Sequence, residues 1–106
     1  MVKGDIIVIP FPFTNLTGSK IRPACVLISS SADVTISFIT TKFNWIDDAC
    51  IEVAPSTENG LKKNSLVRLN KLASIDKELI LGRIGKFNSR DINRINSKLK
   101  EILQLL

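Results

Sequence analysis

The sequence predicts a mainly β fold, a small barrel or sandwich with one α-helix at its C-terminus. Many short segments rich in β-branched residues follow one another at close spacing, separated by turn-forming residues. Near residue 89 the pattern changes, because apolar residues begin to recur at helical spacing. A chain of 106 residues has room for a single core. We therefore expect one domain over residues 1–106, with the barrel over about 4–87 and the helix over about 89–105.

Three strands are predicted in the first part of the chain. Residues 5–11 are rich in β-branched side chains and end at prolines, which favour the end of a strand. A turn around Gly18 leads to residues 21–29, whose continuous apolar centre over 24–28 is typical of a strand buried on both faces. Apolar and polar residues then alternate from residue 34 to about 41, which predicts the third strand.

The later strands are shorter. Residues 50–53 and 65–69 have strand composition, and Asn59-Gly60 between them is a turn signal. Residues 79–87 are predicted as one more strand, with bends at its glycines. The sequence therefore predicts about six strands before the helix begins.

The C-terminal segment is predicted to be an amphipathic helix that covers one end of the barrel. Asn88 and Ser89 are candidate N-capping residues. Behind them, apolar residues recur at helical spacing at Ile92, Ile95, Leu99, Ile102, Leu103 and Leu106.

Composition narrows the class of function. The chain has 15 Lys and Arg residues against 10 Asp and Glu residues, and a net charge of +5 would attract a polyanion such as nucleic acid. The charges are scattered, so this signal alone is weak. We find no signal peptide and no apolar run near the ~18 residues that cross a bilayer. We expect a soluble, cytoplasmic protein without a membrane partner.

The chain contains no histidine, which removes the commonest general base and the commonest metal ligand. Cys25 and Cys50 lack other ligands at zinc-binding spacing, and we expect both thiols to be free. We therefore expect any chemistry to be done with other groups, and we assign no cofactor.

Two segments carry candidate site residues. In Gly18-Ser19-Lys20-Ile21-Arg22-Pro23, an arginine beside a flexible turn can bind a phosphate through two parallel hydrogen bonds. Without other information, a solvated basic loop is the favoured interpretation of this segment. Thr40 and Thr41 end the third predicted strand, where a hydroxyl can donate to a phosphate oxygen, but threonine is also simply a good strand residue.

Four segments in order along the chain resemble the MazF/PemK toxins. They are GDIIV at 4–8, GSKIRPACVL at 18–27, FITT at 38–41 and SLVRLNKLASID at 65–76. The resemblance implies an SH3-like barrel of five to seven strands, shared with the CcdB proteins. It also implies a homodimeric endoribonuclease that cuts single-stranded RNA without a metal, by attack of the ribose 2′-hydroxyl, leaving 2′,3′-cyclic phosphate and 5′-hydroxyl ends.

The resemblance also assigns residues. The arginine of the Arg-Pro pair is Arg22 and the threonine that ends the third strand is Thr40, and these two are the implied catalytic residues. Asn70 stands where some relatives have an acidic residue, and an amide is not a useful base. The implied RNA-binding residues are Ser19, Lys20, Thr41, Arg68 and Asn70.

Two other functions fit the same fold. A CcdB-like inhibitor of DNA gyrase would share the barrel without needing the Arg-Pro and Thr signature, and a barrel that binds RNA without cutting it is compatible with Asn70. The family implies as partners single-stranded RNA, a cognate antitoxin with an acidic tail, and a second copy of the chain.

The remaining candidates are aromatic or acidic. We expect Phe11 and Phe13 to lie in the core in preference to stacking on bases. Trp45 is a better candidate for an exposed contact with RNA or an antitoxin. Asp47 and Asp48 are predicted to lie in a solvated turn.

Overall fold

Six strands and one α-helix form the part of the chain that the computed structural model describes, residues 1–11 and 20–106. The predicted mainly β fold with a C-terminal helix is confirmed. The elements are β1 (Asp5–Phe11), β2 (Lys20–Ser29), β3 (Asp33–Thr40), β4 (Cys50–Val53), β5 (Ser65–Asp76), β6 (Gly82–Lys86) and α1 (Ser89–Ile102).

The strands form one curled antiparallel sheet in the order β4-β5-β3-β2-β1-β6. The loop between β4 and β5 reaches the opposite edge strand, where the Lys86 amide donates to the Glu58 carbonyl at 2.9 Å. Gly60 in this loop has a φ of 68°, and a Cβ there would collide with the carbonyl of Ile84. The predicted Asn59-Gly60 turn is confirmed. Because Gly60 has no side chain, the loop can approach Ile84 closely and close the curled sheet.

The two faces of the sheet build two apolar clusters. Along β2, Ala24 and Val26 pack in one cluster, and Cys25 and Leu27 pack in the other. The prediction of a strand buried on both faces is confirmed for these four residues. It is wrong for Ile28, which is 57% exposed, because the pairing of β2 with β3 shifts between Val26 and Ile28.

The C-terminal helix covers one of these clusters. The Asn88 side chain accepts a hydrogen bond from the Asp91 amide at 2.8 Å, so the predicted N-cap is confirmed. Ile95 is fully buried in the cluster, with Ile92, Leu99 and Ile102 packed at its margin. Among the described residues, no helix is long and apolar enough to span a bilayer.

Two strand predictions need correction. Strand β5 extends to Asp76, well beyond the predicted residue 69, because it pairs with β3 along nearly its whole length. The segment predicted as one strand over 79–87 begins with a 3₁₀ turn at Lys77–Leu79, and β6 starts only at Gly82. The side chain of Asp76 caps this turn by accepting from the Glu78 amide at 2.8 Å.

Strand β5 also contains a bulge that shapes the surface described below. Arg68 pairs with Phe38, but Leu72 pairs with the adjacent Ser37, so residues 69–71 have no partner on β3. Within this bulge the Leu69 amide donates instead to the Ala49 carbonyl at 3.0 Å, just before β4. Bulges bend a strand and redirect its side chains, and they are common beside functional sites.

Candidate active site

A cleft of about 390 Å³ lies where the bulge of β5 meets the end of β3 and the loop that follows it. Strands β1 and β2 form its far wall. Its lining residues are Phe11, Arg22, Phe38, Ile39, Thr40, Lys42, Trp45, Arg68 and Lys71.

The charge of this cleft is entirely positive. Among the described residues that line it, four are cations and none carries a carboxylate. Within the described residues 1–11 and 20–106, the ion pairs join Arg83 to Asp5, Arg94 to Asp91 and Lys98 to Glu101, and none involves a cleft cation. A concave surface with unbalanced positive charge attracts an anionic ligand and concentrates it.

Arg22 and Thr40 come from neighbouring regions of the sheet. Arg22 is half-buried on β2, opposite Ile9 of β1, and Thr40 ends β3 opposite Leu66 of β5. The Thr40 hydroxyl oxygen accepts a hydrogen bond from the Lys42 amide at 3.1 Å. Because the oxygen is used as an acceptor, the hydroxyl proton remains able to donate to a bound oxyanion.

Arg68 occupies the middle of β5, paired with Phe38 on one side and Cys50 on the other. Its guanidinium carbon lies 5.0 Å from the centroid of the Trp45 ring, within cation–π distance. Its Nε is buried and has no hydrogen-bond partner in the described part of the chain. The structure thus brings three predicted residues, Arg22, Thr40 and Arg68, into one cleft.

The loop between β3 and β4 is organised by Asp47. Its carboxylate accepts hydrogen bonds from the Ala49 amide at 2.9 Å, from the Cys50 thiol at 3.3 Å and from the Asn70 side chain at 3.3 Å. These donors, chiefly the Ala49 amide, lower the pKa of Asp47. Asp47 is exposed, as predicted for a solvated turn, and its carboxylate also holds the loop against β5.

The other predicted RNA-binding residues lie outside the cleft lining or outside the described residues. Lys20 is exposed at the start of β2, Thr41 is exposed just after β3, and Asn70 is exposed in the bulge. Ser19 is not among the described residues, and the same holds for Phe13 and for the predicted turn at Gly18.

Two cations of the cleft, Lys42 and Lys71, were not predicted as site residues. Lys42 directly follows Thr41, so its place beside a predicted strand end was a usable signal. Lys71 enters the lining through the bulge of β5, which has no signature in the sequence. Phe11, expected in the core, is 43% exposed and meets Phe38 edge to face at 5.6 Å in the cleft wall.

The two thiols are outside the cleft lining. Both are free, as predicted. Burial raises the pKa of Cys25 to about 12, and burial also raises the pKa of Cys50. Cys25 is therefore a protonated core residue at neutral pH and a poor nucleophile.

Comparison with known families gives one match over nearly the whole chain. The family described as the PemK-like, MazF-like toxins of type II toxin–antitoxin systems matches residues 2–103. Among curated proteins, none matches this chain in sequence.

Several solved structures with the same fold come from mycobacteria. An endoribonuclease in complex with its cognate antitoxin, from a mycobacterial species, has a TM-score of 0.79 at 17% identity, covering 100% of this chain and 97% of that chain. The Mycobacterium tuberculosis toxin MazF-mt6 has a TM-score of 0.77 at 19% identity, covering 96% and 98%. An endoribonuclease from a mycobacterial species has a TM-score of 0.72 at 17% identity, covering 99% and 92%. At these identities the likeness establishes the fold.

Proposed function

This chain belongs to the PemK-like, MazF-like toxins of type II toxin–antitoxin systems, and on that premise we propose that it is an endoribonuclease that cleaves single-stranded RNA. The observation that carries the proposal is the cleft, which joins Arg22, Thr40 and Arg68 in a lining with four cations and no carboxylate. Such a lining suits the phosphates of a polynucleotide. Two solved structures of the same fold are described as endoribonucleases.

The proposed reaction is attack of a ribose 2′-oxygen on the adjacent phosphorus, with cleavage of the bond to the 5′-oxygen. The products are a 2′,3′-cyclic phosphate and a 5′-hydroxyl, and DNA is not cut because it lacks the nucleophile. Arg22 neutralises the charge that develops on the phosphate, since a guanidinium holds its proton too tightly to act as an acid. Thr40 donates its hydroxyl proton to a non-bridging oxygen. The 2′-hydroxyl proton goes to an acceptor other than these two residues, and the departing 5′-oxygen takes up a proton.

RNA and a cognate antitoxin are the proposed partners in the cytoplasm, where messenger RNA is found. One solved structure of this fold is described as a complex with its cognate antitoxin. An acidic antitoxin segment would meet the same cleft cations as RNA, so we expect the two to compete. Simultaneous binding of both in the cleft would contradict this expectation.

A homodimer is the proposed assembly. A groove between β2, β5 and the end of α1 is lined largely by apolar side chains, and Ile28, Leu72 and Leu103 are each at least 41% exposed there. Clustered exposed apolar surface is typical of a contact between proteins. Leu72→Lys should produce a monomer in analytical ultracentrifugation, and an unchanged dimer would place the contact elsewhere.

The test of RNA cleavage uses purified protein, a long single-stranded RNA and EDTA, beside a DNA of matched sequence. Wild-type protein should give discrete fragments that end in cyclic phosphate, and the DNA should stay intact. Arg22→Ala should give no fragments, while the matched control Arg83→Ala, whose arginine pairs with Asp5 away from the cleft, should cut normally.

Intact RNA across several unrelated sequences would overturn the proposal. Retained binding without fragments would then favour a barrel that only binds RNA. Absence of binding would direct the next test to DNA gyrase, the target expected of a CcdB-like protein.

A further inference from the structure

Trp45 has a setting that the proposed cleavage chemistry does not explain. It is the only tryptophan of the chain and lies in the 3₁₀ turn Phe43–Trp45. The Arg68 guanidinium covers its ring at 5.0 Å, yet 49% of the residue is exposed. Trp45 also lines the cleft that holds Arg22 and Thr40. A large aromatic surface is therefore supported from one side and accessible from another, next to the residues proposed to act on the phosphate.

The backbone around Trp45 is held in place. The Ile46 amide donates to the Phe43 carbonyl at 3.1 Å, and the Cys50 thiol donates to the Trp45 carbonyl at 3.6 Å. Two residues beyond Trp45, a hydrogen bond of 3.3 Å between Asn70 and Asp47 joins the loop to β5. A ring that is already ordered loses little conformational entropy when a ligand stacks on it.

We propose that Trp45, backed by Arg68, is a binding site for one unpaired nucleobase of the RNA, in a nucleotide adjacent to the cleaved phosphate. The inference rests on the proposed cleavage of RNA. Aromatic side chains interleaved with cations are the usual platform for single-stranded nucleic acid, because every base presents a π-face and every nucleotide a phosphate. The cleft supplies both partners, with Trp45 for the base and Arg22 and Lys42 for the backbone.

An exposed tryptophan can also anchor a protein partner. The cleft cations would attract an acidic protein segment as well as RNA, but a nucleotide fits both features of the cleft, since its base can stack on Trp45 while its phosphate binds a cation. Trp45 fluorescence separates the two, because the emission of a tryptophan that only anchors a protein would not change when a base is added.

Intrinsic fluorescence reports directly on this site. The chain has one tryptophan and no tyrosine, so the emission comes from Trp45. The probe is a single-stranded oligonucleotide with 2′-O-methyl riboses, which lack the nucleophile and remain intact, at constant ionic strength. Its partner probe has the same length and charge but is abasic. We expect the first probe to quench the emission at saturation and the abasic probe to leave the intensity unchanged.

Variants test the same site by affinity. Trp45→Ala should bind the base-containing probe about 5- to 150-fold more weakly than wild type, as expected when one stacking aromatic is removed. Trp45→Phe, which keeps a smaller aromatic face, should bind with intermediate affinity. The neighbouring Ile46→Ala removes an exposed apolar side chain that does not line the cleft, and its affinity should equal that of wild type.

Equal quenching by the abasic and base-containing probes, or wild-type affinity in Trp45→Ala, would overturn the assignment. These outcomes are separable from failure of the proposed function, because the probes report binding whether or not RNA is cut. A wild-type protein that cleaves RNA but shows no base-dependent quenching would keep the proposed activity and lose the stacking site.

Discussion

Two groups of cationic side chains in this protein have opposite surroundings. Away from the cleft, Arg83 lies 3.1 Å from Asp5, and Arg94 lies 3.0 Å from Asp91 while also donating to the Glu52 carbonyl at 2.8 Å. In the cleft, the four cations have no ion pair with the described residues. Arg83 and Arg94 thus join elements of the fold, whereas the cleft cations are available to an anionic ligand.

The difference has an energetic consequence. Cations gathered in one cleft repel each other and weaken the folded state, unless an anion lies among them. A ligand that binds only the folded chain stabilises it by mass action. The cleft cations are therefore expected to affect ligand binding and catalysis, and the paired cations to affect stability.

The largest expected effect comes from Arg22. Arg22→Ala should lower the rate of RNA cleavage by at least about 100- to 1000-fold, because a charge-stabilising donor is lost from the transition state. Arg22→Lys should restore only part of the rate, since an ammonium cannot form two parallel hydrogen bonds with a phosphate. Cleavage kinetics measure the first effect and thermal unfolding serves as control. A fall in melting temperature as large as that of a core variant would contradict the comparison.

The reverse behaviour is expected of Arg83. The Asp5 side chain is only 6% exposed, and Arg83→Ala removes its cationic partner while the Val2 amide still donates to it at 2.9 Å. We expect the free energy of unfolding in urea to fall by about 1–3 kcal/mol, because a nearly buried carboxylate loses its ion-pair partner. The rate of RNA cleavage by the folded variant should equal that of wild type. Reduced cleavage without reduced stability would show that a paired cation outside the cleft also contributes to catalysis.

A smaller effect is expected of Lys71, which the bulge of β5 places in the cleft. Lys71→Ala should reduce the slope of log affinity against log salt by about 0.7 for single-stranded RNA, because one fewer counterion is released. Lys98→Ala, which removes a cation paired with Glu101 at 3.4 Å, is the matched control and should leave the slope unchanged. Equal slopes for wild type, Lys71→Ala and Lys98→Ala would show that Lys71 does not contact a phosphate.

The smallest effect concerns Asp47 and pH. The pKa of Asp47 is lowered in the folded chain. Its hydrogen bonds therefore stabilise the folded loop fully above the unfolded-state pKa near 4, and this stabilisation is lost as pH falls through the lower folded-state pKa. Trp45 emission in the wild type should therefore change in acid below about pH 4. Asp47→Asn should lack this acid transition, and Asp48→Asn should retain it. An unchanged transition in Asp47→Asn would assign it to another group.

The fold could be predicted from the sequence because its signals are local. Alternation along 34–41, the continuous apolar run on β2 and the helical spacing after Asn88 each reflect how one element buries its own side chains. The ends of β5 and β6 were predicted poorly, since pairing with β3 and a 3₁₀ turn fix them.

The candidate site was only partly predictable. The resemblance identified Arg22, Thr40 and Arg68, and all three line the cleft. Lys71 depends on a bulge, and the contact between Asn70 and Asp47 joins residues 23 positions apart. No periodicity in the sequence encodes such contacts, because they arise from the way strands are paired in the folded sheet.

The position of β5 in the sheet also has a consequence for translation. A nascent chain that ends before Ser65 already contains Arg22 and Thr40, but it lacks the strand that pairs with both β3 and β4 and carries Arg68 and Lys71. The cleft is therefore assembled only after two thirds of the polypeptide has been made. Premature stop codons upstream of β5 should yield fragments without a complete cleft, and a ribosome making this protein is not exposed to a finished cleft until β5 has been made.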